Sequence, residues 1–214
     1  MITRGRSFQN ARARGEPVAA RAARQPSPMP DDDLVLIRRV AAKDRQAFET
    51  LYYRYAQRLY RYLSTLIRQR ELVEEALNDT MLVVWQNASR FNNASRLSTW
   101  MFGIAHNKAL KALARSSNDV ADVPPATRDE WIDGDNPEGA MMRQELGKTL
   151  ARAIETLSPE QRAVVELTYY HEHSYQEIAE ITGCPVNTVK TRMFHARRRL
   201  AQLLAGLGWH RPQE

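Results

Sequence analysis

Cysteine is almost missing from this chain: Cys184 is the only one among 214 residues. A disulfide framework is thereby excluded, and the usage fits a reducing cytosol, so the expected compartment is cytoplasmic. Long apolar runs are missing too. None approaches the ~18 residues of a membrane span, and the N-terminus has no apolar stretch of the secretory kind. The Asn-x-Ser/Thr matches at Asn78, Asn87 and Asn93 are accordingly read as chance. Strand patterning is absent, for nowhere do apolar and polar residues alternate over a strand's length. No phosphate-binding glycine loop, no Cys pair and no carboxylates in a cleft-like setting occur. His171 and His173, in HEH at a helix end, are a poor start for a zinc site and are read as loop residues. The chain is expected to have no catalytic site, no metal and no cofactor.

What remains is helix and unevenly placed charge. The formal net charge is +6, with a pI near 9.7. Residues 1–30 hold six Arg, one Glu and four Pro, the composition of a disordered basic tail. Residues 116–140 hold seven acids against one Arg, with Pro, Gly and Asn and no period, so they read as a flexible acidic linker. A gap of that length is unusual inside one compact domain. The expectation is therefore an all-α chain of two small helical domains, residues 31–115 and 141–206, with a short tail at 207–214.

Helical spacing supports this. Phe48, Leu51, Tyr55, Leu59, Tyr62 and Leu66 recur at steps of three and four. A second helix is expected over about 71–88, with Val73, Leu77, Thr80, Met81, Val84 and Ala88 on its core side. A third is expected over about 98–115, packing through Trp100, Met101, Ile104 and Leu110. The second domain opens with a helix over about 140–157. Ser158 then caps a helix with Pro159 in its first position. Ser174 and Glu177 form a capping box for another, which ends at Gly183. Cys184 and Pro185 make a turn into a last helix, giving a helix-turn-helix.

The last helix carries the stretch NTVKTRMFHARRRL, with five Lys or Arg and no acid. Val186, Val189, Met193, Ala196 and Leu200 form its buried stripe. Thr188, Thr191, Arg192, His195, Arg198 and Arg199 lie opposite, Lys190 and Arg197 flank the stripe, and Asn187 and Phe194 lie on its other flank. Charge runs are usually solvated faces, but a solvated helix usually mixes acid with base. A wholly basic face repels itself unless an acidic partner covers it, and DNA phosphate and guanine edges fit.

The second helix has the opposite character. Glu71, Glu75, Asn78, Asp79, Leu82 and Gln86 share one outward arc. Acid around an exposed Leu suits a protein-docking face, and simple solubility explains the acids equally well. Between the second and third helices, Phe91, Asn92, Asn93, Ser95 and Arg96 offer a ring, amides and a cation, which suit a single-stranded base or any polar loop. Lys108, Lys111 and Arg115 make a basic ridge on the third helix.

The order of these pieces resembles the bacterial sigma factors, of the small extracytoplasmic-function type. The segments AFETLYYRYAQRLYRYL, ELVEEALNDTMLVVWQNASRF, STWMFGIAHNKALKAL and LSPEQRAVVELTYYHEHSYQEIAEITGCPVNTVKTRMFHARRRL carry the resemblance over roughly residues 32–204. It implies that 31–115 is region 2 and 141–206 region 4. It implies that the acidic helix docks on the β′ clamp helices of core RNA polymerase, with the family's D-x-x-Q-[DE] core falling on Glu75, Asn78 and Asp79. Here Asn78 replaces the commoner Gln. Region 4 would meet the β flap. The loop from Phe91 to Leu97 would capture a base flipped from the −10 promoter element, and the helix Val186 to Leu200 would read the −35 element. An anti-sigma factor or other regulator is the further implied partner. The alternative is a dimeric helix-turn-helix regulator, which explains 158–200 and leaves the acidic face and the loop without a task.

Overall fold

A computed structural model describes residues 30–116, 147 and 149–206. The readings of the basic tail, the linker and the last residues fall almost wholly outside these. The described residues are helical, with no strand among them. In chain order the elements are α1 (Pro30–Ala41), α2 (Arg45–Leu66), α3 (Arg70–Asn87), a 3₁₀ turn (Ala88–Arg90) and α4 (Leu97–Ser116). Helix α5 covers residues 149–155, followed by α6 (Pro159–Tyr169), α7 (Tyr175–Thr182) and α8 (Val186–Gly206).

Local chemistry sets the boundaries. Asp44 begins α2 by accepting hydrogen bonds from the amides of Gln46 and Ala47. Ser158 caps α6 with Pro159 behind it, and its partner in a reciprocal capping box is Gln161. Ser174 and Glu177 close the expected box on α7. Gly183 then ends α7 at φ 63°, a left-handed position that a Cβ disfavours.

Helices α1 to α4 form one bundle. The core side expected of α3 is the one observed: Val73, Leu77, Thr80, Met81, Val84 and Ala88 are all buried. Thr80 is satisfied by donating its hydroxyl to the Ala76 carbonyl at 2.7 Å. On α4 the expectation needs correcting. Met101 is in the core, but Leu110 is 49% exposed. The seam runs instead through Met101, Phe102, Ala105, Ala109 and Ala112. Leu110 lies off that stripe. Asp33, in α1, is nearly buried and holds the Arg54 guanidinium at 2.7 Å and the Tyr55 hydroxyl of α2.

Helices α5 to α8 form the second unit, built on Leu157, Val164, Leu167, Ile178, Ile181, Val189 and Met193. The two units pack face to face, α4 against α7 and α2 against α6. One continuous cluster of buried side chains runs through both.

Candidate nucleic-acid interface

Helix α8 shows the two faces that its sequence implies. Val189, Met193 and Ala196 are buried, and Val186 and Leu200 are half-buried. Asn187, Lys190, Thr191, His195, Arg198 and Arg199 are exposed, and Phe194 is 61% exposed although large and apolar. Thr191 turns its hydroxyl back onto the Asn187 carbonyl. His195, Arg198 and Arg199 line a recess of about 380 Å³ shared with Thr156 and Gln161 near the start of α6. Thr188 and Arg192 are only half-exposed. Arg192 reaches the Cys184 sulfur at 3.5 Å, so this cation bends toward the turn. Arg197 is held beside Tyr169, donating to its hydroxyl at 3.0 Å.

The acidic arc of α3 is likewise outward. Glu71, Glu75, Asn78 and Gln86 are exposed, Asp79 is half-buried, and Leu82 is 51% exposed at the centre. Two acids meet cations that the sequence placed in a different group. Asp79 pairs with Lys108 at 2.8 Å, and Glu75 with Arg115 at 2.9 Å. The basic ridge of α4 therefore lies alongside the acidic arc. Lys111, on the same ridge, is exposed.

The loop between α3 and α4 is ordered by its own side chains. Phe91 is half-buried against Trp100, ring centroids 5.4 Å apart. Asn92 accepts the Ala94 amide at 3.0 Å, an Asx turn. Asn93 sits at φ 58°, a conformation that Asn tolerates better than most residues. Asn92 and Asn93 are exposed and Ser95 is half-buried. Beside them opens a recess of about 200 Å³, walled by Ile37, Arg38 and Ala41 of α1 with Phe91 and Asn93. Nothing in the spacing of α1 pointed to this wall.

Arg96 and Thr99, where the loop enters α4, both meet Glu177 of α7. The Arg96 guanidinium donates at 3.3 Å and the Thr99 hydroxyl at 3.1 Å. Burial pushes the Glu177 carboxyl up, but the hydrogen bonds from Ser174, with Arg96, outweigh it and hold the group below the usual range. Two further residues come from the HEH segment. His171 and His173 do lie in the loop between α6 and α7, yet they are buried at 4% and 3% exposure. Their rings pack on Phe102 of α4 at 4.6 and 5.2 Å. His106 of α4 is buried nearby and hydrogen-bonds the Tyr62 hydroxyl at 2.8 Å.

Among the described residues no group of three or more His, Cys, Asp or Glu is arranged to hold a metal. No helix there is long and apolar enough to cross a membrane.

Comparison with known proteins covers both units. The family profile described as Sigma-70 region 2 matches residues 51–118, and that described as Sigma-70, region 4 matches residues 148–200. The chain is 30% identical to the ECF RNA polymerase sigma-E factor of Escherichia coli over 173 residues, 77% of this chain and 90% of that protein. It is 26% identical to the RNA polymerase sigma-H factor of Pseudomonas aeruginosa over 185 residues, 83% of this chain and 96% of that one. The solved structure of CnrH in complex with the cytosolic domain of CnrY shares the fold, with a TM-score of 0.59 at 23% identity, covering 82% of this chain and 99% of that chain.

Proposed function

This chain belongs to the extracytoplasmic-function RNA polymerase sigma factors, and from that premise we propose how its parts divide the work of an alternative sigma factor. Residues 31–115 act as region 2 and 141–206 as region 4. The α3 arc of Glu71, Glu75, Asn78, Asp79, Leu82 and Gln86 docks on the β′ clamp helices of core polymerase. Region 4 meets the β flap. Helix α8 enters the −35 major groove, with Lys190, Thr191, Arg192 and His195 toward base edges and Arg198 and Arg199 toward phosphate. The loop of Phe91, Asn92, Asn93, Ser95 and Arg96 receives an unstacked −10 base, and the Lys111 side of α4 faces the backbone. The polymerase performs the chemistry, and the chain adds specificity in the cytoplasm. An anti-sigma factor or comparable regulator restrains it.

The observation that carries this reading is the pairing of two unlike faces in one chain. An acid-free basic helix follows a capped turn, and an exposed Leu82 stands among acids on α3. A regulator that only binds DNA has no use for the second face. The reading is tested by adding the full chain to purified core polymerase and mapping transcript starts on genomic DNA. A discrete set of starts sharing −10 and −35 sequences is expected. Starts no different from those of core polymerase alone would overturn it.

A further inference from the structure

Promoter elements at −35 and −10 lie about 25 base pairs apart, roughly 85 Å along B-DNA at 3.4 Å per step. In this structure the two readers touch. Arg96, in the −10 loop, is 3.3 Å from Glu177 in the helix-turn-helix. Helix α8, which follows at once, has 21 residues and spans only about 32 Å. The packed arrangement cannot engage both elements, so the units must part before the chain serves a promoter.

The surface that must open is unusual. From the second unit, His171 and His173 insert into the first, and neither ring has a hydrogen-bond partner for either nitrogen. Around His171 stand Phe102 of α4, Tyr62, Arg58 and Arg61 of α2, and Glu166 of α6 at 3.9 Å. Around His173 stand Phe102, Arg58, Arg96, and Glu177 of α7 at 3.9 Å. His106 of α4, with Arg192 and Glu160 acting on it from the second unit, lies across the Tyr62 ring. Exposed Glu172 separates the two histidines. Each nearby carboxylate already holds a cation, Glu166 with Arg61 at 2.7 Å and Glu177 with Arg96. A proton on either buried imidazole would therefore face arginines as well as a carboxylate that is already paired.

We propose that the helix-turn-helix unit is an intramolecular inhibitor of the −10-reading bundle, and that His171 and His173 make its release sensitive to acid. Docked, it ties up Arg96 and Thr99 at the mouth of α4. The proposal rests on the sigma reading for the need to open and for what opening releases.

The direction follows from burial. Burial, reinforced by Arg58, holds His171 down at about 2, and burial holds His173 at about 4 although Glu177 opposes it. Released into water, both return toward ~6.5. Above that pH the rings are neutral in either state and the packing keeps its full strength. As pH falls below ~6.5, the open form takes up protons that the closed form refuses. Each histidine then shifts the closed-to-open ratio by up to ~10-fold per pH unit, and the pair by up to ~100-fold.

The test is energy transfer between dyes on Gln57→Cys and Gln202→Cys, in a Cys184→Ser background of the full chain. High transfer at pH 7.5 and a fall by pH 5.5 are expected. The double variant His171→Phe/His173→Phe, which keeps ring packing, should stay closed at both. Gly103 supplies a variant that leaves the histidines alone. A Cβ there would sit 3.9 Å from the Ile181 Cα, so alanine fits and leucine does not. Gly103→Leu should be open at pH 7.5 and should bind a labelled single-stranded DNA oligonucleotide at least tenfold more tightly than the parent. Unchanged transfer in the parent chain between the two pH values, or an equal fall in the double variant, would overturn the acid release. Open Gly103→Leu with no gain in DNA binding would overturn the inhibition while leaving the family assignment intact.

Discussion

Arg192 and Arg199 sit seven residues apart on α8 and should behave differently. Arg199 is exposed beside the recess near α6, and the proposal assigns it to phosphate. Arg199→Ala should weaken binding to every promoter alike and lower the salt slope by about 1. Arg192 is half-buried and leans on Cys184. Arg192→Ala should relax −35 preference by ~1–3 kcal/mol, the worth of a base contact. Competition binding over a panel of −35 sequences separates the two outcomes, and an unchanged preference for Arg192→Ala would remove it from the reading face. The loop residues have their own signature. Asn92→Ala/Asn93→Ala should spare closed-complex binding and slow strand opening, because base flipping costs a few kcal/mol that the pocket must return. A pre-melted bubble should rescue the rate; failure to rescue points to a damaged loop. At this scale the sequence was informative about type and silent about pairing. Lys108 and Arg115 read as part of one basic ridge, and the structure sets them against Asp79 and Glu75, because which helix faces which is not written in either helix's own period.

Helices were the most legible level. Boundaries at Ser158, Ser174 and Gly183 follow from side chains that satisfy amides or accept a left-handed backbone, and such chemistry is local. Ser174→Ala removes the hydroxyl that accepts the Glu177 amide, and should destabilise the second unit by ~1 kcal/mol. Gly183→Ala should cost a similar ~1–2 kcal/mol, because a Cβ is strained at its φ of 63°. Thermal melts of the full chain check both; a Gly183→Ala melt at the parent temperature would contradict the left-handed cap. The failure at this level was Leu110. Its hydrophobicity suggested a core position, but the buried positions of α4 include the small Ala105, Ala109 and Ala112, which a ranking of residues by hydrophobicity passes over.

The packing of the two units on each other was the least legible feature. Beside Tyr62 and Phe102, it is lined by Arg58, Arg61, Arg96, Glu166 and Glu177, types that are usually found at surfaces, and by His171 and His173. Glu166 came closest to a warning, since it interrupts an apolar run in α6 and proves 2% exposed. Only the tertiary arrangement shows that these polar groups find one another across the interface. The proposed docking on core polymerase turns on a different surface, the α3 arc. Charge reversal at Glu75 or Asp79 would also set like charges against Arg115 and Lys108, confusing docking with stability. Leu82 avoids this, being 51% exposed and central. Substitution there should move stability by no more than ~0.5 kcal/mol, whereas a charge placed at the centre of an interface costs ~2 kcal/mol or more of binding. The deciding measurement is recovery of core RNA polymerase by tagged full-length chain, wild type against Leu82→Lys, with circular dichroism confirming equal helix content. The expected result is stoichiometric recovery by wild type and a loss of at least ~30-fold in affinity for Leu82→Lys. No recovery by the wild-type chain would contradict its action as a sigma subunit, and equal recovery by a well-folded Leu82→Lys would remove α3 from the docking face.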